Sequence, residues 1–243
     1  MKALILAAGR GSRMNSQTAN RPKCLINVQG KSLLDWQIEA IQAAGINEIA
    51  IVTGYHHELI SPPGLQMFHN PQWQETNMVA SLACGHEWLE TEICIVSYSD
   101  IFYSADVVRL LLSSIDSHLA ITYHTDWLNI WTKRFGNPLI DAESFRVNPD
   151  GLVVEIGGKP KSTSEIHGQY MGLLLIAPKG WHEIENVRRG LVAEDRNKIS
   201  MTEILQKVIE RGIIEISALP FGGFWGEIDS EKDLEIYNET QKN

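Results

Sequence analysis

The apolar positions of this chain fall into short unbroken runs that alternate with stretches of helical spacing. Residues 3–8 form a continuous apolar run ended by Gly9, the pattern of a strand buried on both faces. Leu33, Leu34, Ile38 and Ile41 then recur at helical spacing with Gly45 just beyond, which predicts a helix over 33–44 with a glycine at its C-terminal end. Residues 48–53 are strand-like again, so the first quarter reads as a βαβ unit, the building block of a parallel sheet with right-handed crossovers. The alternation predicts a strand near 65–68, a helix over 78–89 with Asn77 as its N-cap, and a buried strand over 93–98 that ends at Ser99 and Asp100. It then predicts a helix over 105–114 and a strand over 119–123. Residues 124–137 read as a loop or irregular helix. Between 145 and 156 two apolar segments flank Asn148-Pro149-Asp150-Gly151, a hairpin turn. A strand over 170–177 follows, then a capping box of Ser200 and Glu203 opening a helix to about 210, a last strand over 213–219, and a closing helix capped by Ser230. No repeat, low-complexity linker or composition break divides the chain. The expectation is one α/β unit over 1–243 with a mostly parallel central sheet, and a small hairpin-bearing lobe inserted at about 124–168.

Composition narrows the class. With 44% hydrophobic and 21% charged residues the chain can bury a full core, which excludes disorder. The N-terminal apolar run is too short for a secretion signal, and no stretch approaches the roughly 20 apolar residues of a membrane span. Cys24, Cys84 and Cys94 form no even framework and no C-x-x-C pair, so a reducing cytoplasm is the expected compartment. The formal net charge of −9 argues against nucleic acid bound over the whole surface. Its distribution says more: Lys2, Arg10, Arg13, Arg21, Lys23 and Lys31 all lie in the first 34 residues, which contain no acid. Those bases share their segment with Gly9, Gly11 and Pro22, a combination that favours a compact anion site over a chance run of surface charge. The histidines point nowhere comparable, because His86-Glu87 is followed at position 90 by glutamate and lacks the second histidine of a zinc motif.

In an open parallel sheet, ligands bind outside the carboxyl ends of the strands. The loop after the first strand is Gly9-Arg10-Gly11-Ser12-Arg13; its glycines let backbone N–H groups approach a phosphate, and its arginines add charge-assisted donors. Met14 breaks the dinucleotide fingerprint, and Leu25 stands where a P-loop ending in Gly30-Lys31-Ser32 needs glycine. The whole stretch Leu6-Ala7-Ala8-Gly9-Arg10-Gly11-Ser12-Arg13-Met14, followed by Arg21-Pro22-Lys23-Cys24-Leu25, resembles the paired signature of the nucleotidyltransferases of the sugar-nucleotide and choline-phosphate cytidylyltransferase type. The likeness continues through Asn70-Pro71, Asn77, Ser81-Leu82, Asp100 and Glu227-Ile228-Asp229-Ser230, nearest the bacterial choline-phosphate cytidylyltransferase group, and is weakest over 124–168.

The resemblance implies a Rossmann-like three-layer nucleotidyltransferase fold and transfer of CMP from CTP, or of another nucleotide, to a small phosphorylated or phosphonate acceptor, with release of pyrophosphate. Lys23 and Arg13 are the expected catalytic cations, and Leu6, Ala8, Gly9, Arg10, Gly11, Ser12, Asn77 and Ser81 the expected nucleotide-binding residues. Mg²⁺ is the expected cofactor, held by Asp100 and Asp229, because it takes hard oxygen ligands and both acids follow strands of the sheet. Trp131, Arg134, Lys159, Tyr170, Trp225 and Glu227 are the expected acceptor residues: aromatic rings suit a quaternary ammonium, whereas Arg134 suits an acceptor phosphate or carboxylate. Plain packing is the alternative for each aromatic, and a simple N-cap the alternative for Asn77. No nucleic acid or membrane partner is expected, and the chain is a monomer or homodimer. The product of such an enzyme would feed surface-glycan biosynthesis. A sugar-1-phosphate nucleotidylyltransferase using UTP, dTTP or GTP is the near rival, and a catalytically silent nucleotide-binding domain the distant one.

Overall fold

The computed structural model describes residues 1–239, and in it the apolar runs become strands. In chain order these are β1 (Lys2–Ala7), β2 (Asn27–Val28), β3 (Lys31–Ser32), β4 (Ile49–Thr53), β5 (Gln66–His69), β6 (Cys94–Tyr98), β7 (Ile101–Tyr103), β8 (Leu119–His124), β9 (Phe145–Val147), β10 (Val153–Ile156), β11 (Gln169–Ile176), β12 (Ile216–Phe221) and β13 (Trp225–Glu227). The helices are α1 (Leu33–Ala43), α2 (Met78–Ala83), α3 (His86–Leu89), α4 (Ala105–Leu112), α5 (Trp127–Phe135), α6 (Pro178–Arg189), α7 (Ala193–Lys198), α8 (Met201–Arg211) and α9 (Glu231–Glu239).

A seven-stranded sheet in the order β12-β8-β11-β6-β1-β4-β5 carries the fold. Neighbours are parallel except where β11 runs antiparallel to both β6 and β8, so the mostly parallel α/β architecture holds. From β1 the chain moves to β4 and β5 on one side and then crosses to β6 on the other. The loops that leave β1 and β6 therefore diverge, and a crevice opens between them at the carboxyl ends of the strands. Leu6 pairs with Tyr98 in the register of these two strands, so Ala8-Gly9 and Ser99-Asp100 emerge side by side. A second device returns the far end of the chain to the same place: β13 pairs antiparallel with β7, Glu227 opposite Ile101, and the Ile228 amide donates to the Asp100 carbonyl at 2.9 Å.

One contiguous core runs from the sheet into the lobe, from Leu4, Ile5 and Val96 through Trp181 to Trp131, Phe145 and Val153. A smaller core of Met14, Ile26, Val28, Leu33, Phe102 and Ile228 lies under the glycine loop. Met14, the residue that spoils the dinucleotide fingerprint, is thus the loop's buried anchor. Cys24 is buried beside it and its thiol is pushed up to about 12 by burial, so it packs rather than reacts. No helix among the described residues is long and apolar enough to cross a membrane.

Several boundaries differ from the periodicity. The helix expected over 78–89 breaks at Gly85, where an added Cβ would meet the Leu4 side chain at 3.0 Å; the chain turns there to stay close to β1. The last main strand begins at Ile216 rather than 213, because Gly212 closes α8 in the left-handed region with φ +61° and leaves Ile213 exposed. Residues 127–135 are a regular helix rather than a loop or irregular helix. Its buried face is Trp127, Trp131 and Arg134, and an arginine at the third apolar position hides the stripe. Helices α6 and α7 were not foreseen: α6 buries only a sparse row that includes Trp181, Ile184 and Val187 in an otherwise polar sequence. The hairpin and the α8 capping box form as expected, with Asn148 Oδ1 accepting from Leu152 N at 2.9 Å and both box hydrogen bonds present.

Candidate active site

Gly11 opens the site. It takes φ +69°, and a Cβ there would lie 2.7 Å from Cδ of Lys23, so glycine serves both the turn and the close passage of that lysine. Lys23, 7% exposed, donates from Nζ to Asp100 Oδ2 at 2.9 Å and to Asp229 Oδ1 at 2.7 Å. Arg13 donates to the same Asp229 oxygen at 2.9 Å. Oxygens of Asp100, Glu227 and Asp229 all lie within 4.8 Å of one another. Such crowding has electrostatic consequences. Burial and the neighbouring Asp229 raise the Glu227 carboxyl to about 8 despite Arg134. Burial opposes ionisation of Asp229 too, but Lys23, Arg13 and Arg134 together outweigh it and hold that carboxyl below its ordinary value. Burial likewise works against the Lys23 charge, and Asp100 and Asp229 together hold its pKa above normal. Oδ1 of Asp100, itself one of the three clustered acids, is buried without a hydrogen-bond partner, a need that a hard cation would satisfy.

Arg134 is the hub behind these acids. Only 2% exposed, it donates from Nε to Asp233 Oδ1 at 2.9 Å, from Nη1 to Glu227 Oε2 at 2.6 Å and from Nη2 to Asp229 Oδ2 at 3.3 Å. Asp233 in turn accepts from the backbone amides of Asp229 and Ser230, each at 2.9 Å. The sequence expectation that Arg134 meets an acceptor phosphate or carboxylate is therefore corrected: all three of its nitrogens face the protein's own carboxylates. Trp131 lies against this hub, with the Arg134 guanidinium 5.2 Å from its ring centroid and Trp225 parallel to it at 6.3 Å. Its indole N–H donates to Asp141 Oδ2 at 3.1 Å.

Two cavities meet at the cluster. The smaller, about 140 Å³, is bounded by Leu6, Ala8, Gly9, Gly11, Lys23, Ser81 and Asp100. The larger, about 350 Å³, is bounded by Arg13, Glu227 and Asp229 and by Tyr98, Trp131 and Tyr170. Asn77 and Met78 border both. Most of the expected residues are thus brought together, but four are not. Arg10 lies over the Tyr55 ring, 5.7 Å from its centroid, and borders neither cavity. Ser12 and Lys159 are exposed and also stand outside. Trp225 sits behind Trp131 with its N–H donated to the Met171 carbonyl at 3.1 Å. Asn77 is engaged at both ends of its amide: Oδ1 accepts from Met78 N at 2.8 Å and Nδ2 donates to the Lys198 carbonyl at 3.0 Å. It caps α2 and ties it to α7. Ser81 accepts from Asn70 Nδ2 at 3.0 Å, which leaves its own proton to give. Sequence reading missed Trp73, which borders the smaller cavity and packs edge-on to Tyr55 at 5.1 Å. It also missed Asp233, whose position in the first turn of a helix carries no signal of its partner Arg134.

A glycine-lined cleft at the switch point of a mostly parallel sheet, with a lysine laid across a carboxylate cluster, has the chemistry to hold a nucleoside triphosphate beside a cation, which is what a nucleotidyltransferase requires. Residues 3–147 match the MobA-like NTP transferase domain, and the chain belongs to that family. It is 35% identical to a CTP:phosphoglutamine cytidylyltransferase of Campylobacter jejuni over 97% of this chain and 98% of that one. It is 31% identical to a choline-phosphate cytidylyltransferase of Streptococcus pneumoniae over 60% of this chain and 67% of the relative. Among solved structures, the inositol-1-phosphate CTP transferase of T. maritima superimposes with a TM-score of 0.78 at 20% identity, covering 99% of this chain and 95% of its own, a likeness of fold.

The hub makes a stability prediction. Arg134→Ala leaves buried acids uncompensated and should cost about 3–5 kcal/mol in urea unfolding, against less than about 1 kcal/mol for Arg109→Ala, whose ion pair with Asp106 is exposed. Equal losses in the two variants would show that the hub contributes no more than a surface pair.

Proposed function

We propose that this nucleotidyltransferase is a Mg²⁺-dependent cytidylyltransferase that moves CMP from CTP to the phosphate of a small acceptor of the phosphoglutamine kind, in the cytoplasm. The observation that carries this reading is the end-to-end similarity to a cytidylyltransferase in a chain that also gathers Lys23, Asp100 and Asp229 in one cleft. In the reaction an oxygen of the acceptor phosphate attacks the α-phosphorus of CTP, a new P–O bond forms there, and the bond from the α-phosphorus to its bridging oxygen breaks with pyrophosphate as leaving group. For an acceptor that is a phosphate monoester the second pKa is roughly 6, so that nucleophile is already ionised. That accords with a site built from cations and metal-type ligands rather than from a general base.

The protein's own work is electrostatic. Amides of the Ala8–Gly11 loop and Arg13 would hold the β- and γ-phosphates, and Lys23 would exchange its aspartates for the α-phosphate, where charge accumulates as the bridging bond lengthens. Asp100 and Asp229 would hold the metal, with Glu227 beside them; the unpartnered Asp100 Oδ1 fits that role. When bound, Mg²⁺ supplies two positive charges against the phosphate oxygens. Ser81 would donate to the cytosine edge in the smaller cavity. Trp131 and Tyr170 would wall the acceptor. The three free thiols accord with a reducing compartment.

Pyrophosphate release from CTP, UTP, GTP and dTTP with a panel of phosphorylated acceptors tests the reading. CTP with phosphoglutamine should exceed the other nucleotides by at least about tenfold in kcat/KM, a preference of roughly 1.4 kcal/mol; equal rates with all four would overturn cytidine. Lys23→Ala should lower kcat by about a hundredfold or more, and near-normal turnover would remove Lys23 from the mechanism. Asp100→Asn should raise the Mg²⁺ concentration for half-maximal rate, with Mn²⁺ binding followed by paramagnetic resonance weakened in parallel.

A further inference from the structure

Two carboxylates of the larger cavity take no part in that chemistry. Asp141 and Glu143 border it alongside Trp131 and Tyr170. The other acids of the site are compensated, Glu227, Asp229 and Asp233 by Arg134 and Asp229 again by Lys23 and Arg13. Among the described residues, Asp141 and Glu143 form no ion pair and receive only neutral donors: the Trp131 indole N–H for Asp141, and the Thr202 hydroxyl at 3.3 Å for Glu143.

Glu143 is nevertheless firmly placed. The buried Gln169 clasps its backbone, accepting from the Glu143 amide at 3.0 Å and donating to its carbonyl at 2.6 Å. Burial raises its carboxyl above the ordinary value, with Asp141 and Glu203 adding to the effect. Beside it the Tyr170 hydroxyl is enclosed next to Tyr98 and makes no well-directed hydrogen bond. A pocket that sets one half-covered and one exposed carboxylate side by side without a counter-charge among the described residues, next to an enclosed hydroxyl with no well-directed partner, is built to receive charge from outside.

We propose that Glu143 and Asp141 form a subsite for a primary ammonium group on the acceptor, which makes the substrate a zwitterion with its phosphate toward Arg13 and Asp229 and its stem along Trp131 and Tyr170. Directed carboxylate acceptors reward N–H donors, which a quaternary ammonium lacks. The assignment of the phosphate end rests on the cytidylyltransferase reading; the ammonium end does not.

The test compares phosphoglutamine, its analogue with hydrogen in place of the α-ammonium, and its α-trimethylammonium analogue. Calorimetry with Mg²⁺ and a CTP analogue carrying a methylene in place of the bridging α,β-oxygen measures binding without turnover. Wild-type protein should bind the ammonium compound at least tenfold more tightly than either analogue, and Glu143→Gln should bring the ratios below about threefold. Asp141→Asn, at an exposed position where the amide oxygen can still accept from the Trp131 indole, should reduce them in the same direction. Equal affinities in the wild type, or undiminished ratios in both variants, would overturn the subsite, and equal binding of the trimethyl compound would overturn the primary ammonium. If no acceptor releases pyrophosphate from CTP itself while the ratios persist, the transfer reading has failed and the subsite stands.

Discussion

Three carboxylates with oxygens within 4.8 Å of one another can share a cleft only if something holds them against their own repulsion. Two like charges at such a separation, even at an effective dielectric of about 20, oppose each other by roughly 4 kcal/mol. Lys23, Arg13 and Arg134 provide the compensation, each from a different part of the chain. Lys23 rides on the turn after Pro22, Arg13 on the loop after β1, and Arg134 on a helix of the inserted lobe. The same contacts draw the glycine loop, the lobe and the last helix onto one point.

This arrangement divides labour between the cations. Arg134 is enclosed and bound on all three nitrogens, so it holds Glu227 and Asp229 in place whether or not ligands are present. Lys23 and Arg13 face the cavities, and their ion pairs are ones that phosphates can replace. In the proposed reaction, a site that takes up a polyanion and a cation would benefit from internal partners that are exchangeable on one side and permanent on the other. The buried hub is weak evidence for net stability, since desolvation consumes much of the attraction. Its clearer effect is on geometry.

The larger cavity obeys different rules. Trp131 stacks between Trp225 and Arg134 and directs Asp141, so the ring is both a packing residue and a wall. Glu143 is held by a buried glutamine clasp rather than by a cation. Placement without neutralisation separates these acids from the carboxylate cluster around Lys23, and it gives the cavity a polarity that its aromatic lining alone would not supply.

The sequence by itself determined the alternating α/β order, the mostly parallel sheet and the anion loop. Each is encoded in local signals: unbroken apolar runs, helical spacing, and glycines where the backbone must turn back or be approached closely. Lys23 was legible in the paired motifs, and Asp100 and Asp229 in their places after strands of the sheet, and the fold brings all three into one cleft. Only the tertiary structure decided the partners of Arg134. An arginine on a buried helical stripe looks like a free anion ligand until the chain's far end supplies Glu227, Asp229 and Asp233 to meet it. Asp141 and Glu143 were invisible for the complementary reason: what distinguishes them is that, among the described residues, no cation pairs with them in space. Spacing along the chain carries periodicity and turn chemistry, but the pairing of charges about a hundred residues apart is settled only when β13 returns to β7 and closes the cleft.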